Sequence, residues 1–208
     1  MSKLKHDPTN EIQKVRVCGT YTSLPAANAE AHRCLFDLGY QREWFDTYDA
    51  RRSDGSEWTH GDGVIVYAVA PDGDTFEVSI DTTVNKNGWK GNDEGEVGLA
   101  LYHLLKTVVF YEKDAGGALR KTSVLDSFES YAKGRLAAQT ALTGVDHSSK
   151  ETDWAEYDVL PLEEKDWEFG ENVVVHAVGQ SGENVLLSVV GEQGLESVRI
   201  MEAAMRIR

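Results

Sequence analysis

The residues best suited to hold a ligand fall into two clusters that mix aromatic rings with carboxylates. The first comprises Glu43, Trp44, Phe45, Asp46, Tyr48, Asp49, Glu57 and Trp58, and the second Asp153, Trp154, Glu156, Tyr157, Asp158, Asp166, Trp167 and Phe169. Tryptophan and tyrosine bring a large apolar face with a polar tip, and carboxylates beside them favour a cationic ligand or a basic peptide. Trp44, Asp46, Tyr48 and Asp49, with Trp154, Glu156, Tyr157 and Asp158, are therefore the candidate binding residues. Trp58 and Trp167 stand at matched positions ahead of apolar runs and are expected to plug the core.

Other chemistry finds little support. The six histidines, His6, His32, His60, His103, His147 and His176, include no pair three or four residues apart, so no metal site is expected. His176 lies amid valines and reads as a structural histidine; a general base there, or carboxylates such as Asp49 and Asp158, is the catalytic alternative. There is no GxxxxGK[ST] phosphate loop and no Gly-x-Ser-x-Gly elbow, so no catalytic residue and no cofactor is assigned. Cys18 and Cys34 have no sequence partner motif, and reduced thiols are the expectation. With 35 acidic against 21 basic residues in 208, a net charge of −14, direct nucleic-acid binding is not expected.

The elements that must position these groups come from an internal repeat. Residues 48–81 overlay on 157–190 at an offset of 109 without a gap, and 10 of the 34 positions are identical, among them Tyr48/Tyr157, Asp49/Asp158 and Trp58/Trp167. The pattern predicts an α+β fold: two tandem copies of a strand-helix-hairpin unit, mainly antiparallel sheet, divided as residues 1–95 and 96–208.

In copy one, Lys14–Cys18 alternates as a strand. Thr22 or Ser23 caps a helix with Leu24, Ala27, Ala31, Leu35 and Leu38 along one stripe, closed by Gly39. In copy two Asp126 or Ser127 caps, and Phe128, Tyr131, Ala132, Leu136 and Leu142 form the stripe. Hairpins follow, Val64–Val69 with Phe76–Ile80 and Val173–Val178 with Val185–Val190, each turning at a glycine. The polar, glycine-rich stretch 85–95 reads as a mobile linker. The first part of the apolar Leu99–Tyr111 reads as a long strand, with a helix over Glu96–Lys106 as the alternative the pattern allows; it has no counterpart in copy one, a gap that residues 197–208 are expected to fill, knitting the copies into one body.

Val17–Leu24, Ala27–Ala31 and Leu38-Gly39 resemble the strand-then-helix opening of SPOR peptidoglycan-binding domains; the lack of an export signal and the departure of copy two from the pattern argue against membership. The same residues, with Tyr102–Tyr111, Ser123-Val124 and Phe128, resemble uncharacterised fungal intracellular proteins, a resemblance that implies no activity.

Three functions are expected to compete. The foremost is a non-enzymatic binding protein whose paired aromatic-acidic loops hold a basic protein segment or a second copy. The others are an enzyme or small-molecule binder with a cleft between the copies, and an acidic decoy of nucleic-acid-binding proteins. No apolar run reaches the roughly 20 residues of a membrane span, so an intracellular, membrane-free protein is expected.

Overall fold

The computed structural model describes residues 2–6, 12–143 (except 53, 55, 116 and 118), 153–161, 167–192 and 195–199, of which 2–6, 12 and 195–199 are described as backbone. The fold is α+β, with two helices and two antiparallel sheets. In chain order the first sheet is fed by β1 (Ser2–His6), β2 (Ile12–Arg16), α1 (Leu24–Asp37), β3 (Thr47–Ala50), β4 (Val64–Val69) and β5 (Thr75–Ser79). The second is fed by β6 (Tyr102–Val109), β7 (Arg120–Phe128), α2 (Tyr131–Ala141), β8 (Glu156–Val159), β9 (Val173–Val178) and β10 (Asn184–Gly191). A last strand, β11 (Leu195–Arg199), returns to the first sheet.

The first sheet has the order β11-β2-β1-β5-β4-β3 and the second the order β7-β6-β10-β9-β8. Leaving out β11, the two orders are the same. The first sheet does contain a counterpart of the long strand β6: β1 lies between β2 and β5 as β6 lies between β7 and β10. The expectation of a gap there rested on the polarity of the first residues, but backbone pairing needs only free amides and carbonyls on a neighbouring edge. The C-terminal strand β11 pairs instead with the outer edge of β2, Glu196 opposite Val15, and residues 200–208 lie outside the described residues.

Apolar runs set the depth of each strand. Val185–Val190 of β10 is buried along its whole length because β10 is central and covered on both faces. On β5, Phe76 and Val78 point inward while their neighbours are half-buried, the alternation of a strand with one covered face. Tyr48-Asp49 and Tyr157-Asp158, read from sequence as loop, lie on the short edge strands β3 and β8. Four residues alternate too briefly for the period to show.

Helix α1 is capped by Ser23, whose hydroxyl accepts from the Ala26 amide at 3.3 Å, and it buries Ala31, Cys34 and Leu35. Leu24, expected on the stripe, is 60% exposed. Helix α2 departs further. Its cap is Ser130, because β7 keeps its pairing with β6 through Phe128 and uses up Asp126 and Ser127. Its buried face is Gly134 and Ala138, while Ala132 and Leu136 face solvent. The reason is close approach: a Cβ on Gly134 would lie 2.9 Å from Val189 Cγ1 of β10. No described helix is long and apolar enough to cross a membrane.

This packing makes a direct prediction for chemical denaturation. Gly134→Val should cost about 1–3 kcal/mol by forcing α2 off the sheet, whereas Leu136→Ala should stay within about 1 kcal/mol. Equal costs for the two would refute the assigned helix face.

Candidate functional site

The first aromatic-acidic cluster is partly core. Trp44, on one turn of 3-10 helix at Arg42–Trp44, stacks on Tyr40 at 5.3 Å and meets Phe45 and Phe76 edge-on, yet stays 42% exposed. Tyr48 turns inward against Phe36 and Phe45, with the Arg42 guanidinium 5.0 Å from its ring centroid. Asp46 donates its amide to the Val69 carbonyl and leaves its carboxylate in solvent. Asp49 faces the opposite side of β3 from Tyr48, as alternation along a strand requires, and accepts from a ring nitrogen of His60 at 2.9 Å.

In the second cluster Trp154 and Tyr157 pack toward α2, and the Tyr157 hydroxyl donates to the Gln139 carbonyl at 3.2 Å. Asp158 faces away and accepts from His176 Nδ1 at 3.1 Å. Glu156, two residues along the same strand face, brings a carboxylate to within 4.8 Å of both, so donors of metal-ligand type do gather here, across strands and not along one helix. His176 Nδ1 is already engaged by Asp158 at 3.1 Å. Asp166 lies outside the described residues.

The two clusters share one arrangement that column-by-column comparison hides. In the first sheet His60 stacks on Tyr67 at 4.1 Å and 11°, and Trp58 meets His60 edge-on at 4.8 Å. In the second, Phe169 stacks on His176 at 4.0 Å and 12°, and Trp167 meets Phe169 edge-on at 4.9 Å. At the offset of 109, His60 corresponds to Phe169 and Tyr67 to His176. In the first stack the histidine is on the loop and in the second it is on the strand, and each time it hydrogen-bonds the aspartate at the overlaid position. Trp58 and Trp167 are half-buried in this clasp.

None of the eight candidate binding residues lines the main cleft, which has a volume of about 270 Å³ and opens between the two sheets. One wall is the exit of β2 and the start of α1, with Cys18, Tyr21, Glu30 and Cys34; another is the chain after β5, with Ile80 and Asp81. His103, Val124 and Ser127 of the second sheet form the floor, and Trp89 closes one side.

The stretch 85–95, expected to be a mobile linker, is tied down around this cleft. Asn85 holds both backbone groups of Trp89 at 2.8 and 2.9 Å, Thr22 donates its amide and hydroxyl to the Gly95 carbonyl, and Val97 donates to Thr20. Asp81 accepts from the Val124 amide at 2.8 Å, and Lys86 pairs with Asp126 at 2.9 Å, joining the two halves of the chain across the seam.

Burial shapes the chemistry of the lining. The Glu30 carboxyl is pushed up, first by desolvation and then by Asp37. The Tyr21 hydroxyl is pushed up by burial, with Glu30, Glu96 and Glu192 adding to it. His103, 1% exposed and facing Ser127 at 3.0 Å across the β6–β7 pairing, is lowered by desolvation to about 4. Sequence spacing signalled none of these groups, because they come from four segments that meet only in the fold. Compared with known proteins, the chain matches no family model, no curated protein and no solved structure.

His103 supplies a test of this seam. Unfolded, its imidazole protonates near 6.5; folded, it stays neutral down to about 4, so below pH 6.5 the unfolded state gains protons first. Stability should fall by about 3 kcal/mol from this group as pH drops from 6.5 to 4. Denaturation series at several pH values should show a flatter slope over that window in His103→Gln, and an unchanged slope would contradict the buried neutral ring.

Proposed function

We propose that the chain is a small-molecule-binding protein that holds a compact, partly apolar organic amine in the cleft between its sheets. The observation that carries this reading is the lining: Glu30 and Asp81 line the space together with Thr20, Tyr21, Thr22 and Ser127, and among the described residues no lysine or arginine does. An ammonium group is the ion such a site accepts, since it neutralises a carboxylate already raised by burial. Trp89 and Tyr21 can offer ring faces to the same cation, and Val17 and Ile80 cover a carbon skeleton. The volume sits near the lower end of ligand pockets, roughly 300–1,000 Å³, and points to a small ligand.

Two tandem copies, residues 1–95 and 96–208, are part of the proposal: the matched strand order, the offset of 109 and the exchanged histidine stacks support it. A second reading, docking of a basic protein segment, is favoured by one observation, the 42% exposure of Trp44 beside Glu43 and Asp46.

Tryptophan fluorescence and thermal-shift titrations with primary amines and size-matched carboxylates test the cleft. Amines should stabilise the protein saturably, and Glu30→Gln should weaken them at least about tenfold, or 1.4 kcal/mol. Affinity should rise with pH as the elevated Glu30 carboxyl ionises. Equal stabilisation by carboxylates, or an unchanged affinity in Glu30→Gln, would overturn the reading.

A further inference from the structure

The chain has two cysteines, and the fold puts them together. Cys18 leaves β2 half-buried on the cleft wall; Cys34, sixteen residues on, is 2% exposed on the inner face of α1. Their sulfurs lie 2.9 Å apart, and both line the cleft. An approach of about 0.9 Å would bring them to the bonded length of about 2.05 Å. Cys18 stands outside β2, next to Gly19, so this movement breaks no strand pairing. Cys34 is too buried to meet a thiol of another molecule, which leaves Cys18 as its partner.

We propose that Cys18 and Cys34 are a redox-active dithiol that closes to a reversible disulfide when a hydroperoxide enters the cleft. Cys18, the more accessible sulfur, attacks one peroxide oxygen; the O–O bond breaks, the alcohol or water leaves with a proton, and Cys18 becomes a sulfenic acid. Cys34 then attacks the Cys18 sulfur: the S–S bond forms, the S–O bond breaks, and the hydroxyl departs as water with the Cys34 proton. Two thiols lose two electrons and the hydroperoxide gains them. A small dithiol reductant reverses the step. The bond fastens α1 to the exit of β2 across the cleft wall, closing a short loop in the unfolded chain, and so favours the folded state. This inference does not rest on the ligand reading of the cleft.

The experiment uses the full chain, reduced, freed of reductant and titrated with hydrogen peroxide. Intact mass should fall by about 2 Da, the two hydrogens lost with both thiols, with no covalent dimer. A proteolytic map should contain a peptide pair linked through Cys18 and Cys34, removed by dithiothreitol, and the oxidised chain should melt several degrees higher. Cys34→Ser, checked for its fold by circular dichroism, should stop at a Cys18 sulfenic acid that dimedone traps. Mass gains of about 32 or 48 Da without a linked peptide, covalent dimers as the main product, or two thiols unchanged by peroxide would each overturn the proposal.

Discussion

A single helix covers one face of a five-stranded sheet, and the second sheet is apolar on both. Helix α2 takes the face with Leu104, Val175, Leu187 and Val189. The opposite face presents Leu105, Val124 and Val190, which are covered by Val15 and Val17 from the region of β2. Each of these aliphatic side chains is worth about 1.5–3 kcal/mol when fully buried, so the contact outweighs any pairwise polar tie across the seam. It also explains the placement of the cleft. Once Val15 and Val17 press on the second sheet, the chain that continues through Cys18 to Ser23 must run beside His103 and Ser127 before α1 begins. The space left between that run, α1 and the chain after β5 is the cleft.

The seam tolerates polar groups because they are matched across neighbouring strands. His103 faces Ser127 and Thr107 faces Thr122, each pair directly opposite in the β6–β7 register and each within hydrogen-bonding distance. The pairing offsets part of the cost of burying these groups, although Nε2 of His103 has no partner among the described residues. The same logic governs the two clasps. In each a ring stacks beside an Asp–His hydrogen bond, and the histidine stands at either position of the stack.

Much of the fold was legible before any coordinates. Long apolar runs and their turn glycines marked β4 with β5 and β9 with β10, and Ser23 with Pro25 marked the start of α1. What escaped had short or ambiguous signals. Strand β1 is polar, β3 and β8 span four residues each, and the inner face of α2 is made of Gly134 and Ala138, whose small size is an advantage only against a particular neighbour. Among the candidate site residues, residue type and the repeat singled out Asp49 and Asp158, but neither the edge strands that carry them nor the histidines that they accept from.

By itself the sequence determined the apolar runs of the long hairpin strands, the capping of α1, the offset that overlays residues 48–81 on 157–190 and the acidic character of the chain, because these depend on neighbours a few residues away or on simple counts. Tertiary structure alone decided which faces met. Cys18 and Cys34 are brought together by one helix lying over one sheet, Glu30 and Ser127 by the seam between two sheets, His60 and Tyr67 by a stack in the first sheet, and Phe169 and His176 by a stack in the second. Such contacts depend on how buried area is shared among elements distant in the chain, a quantity no local pattern contains.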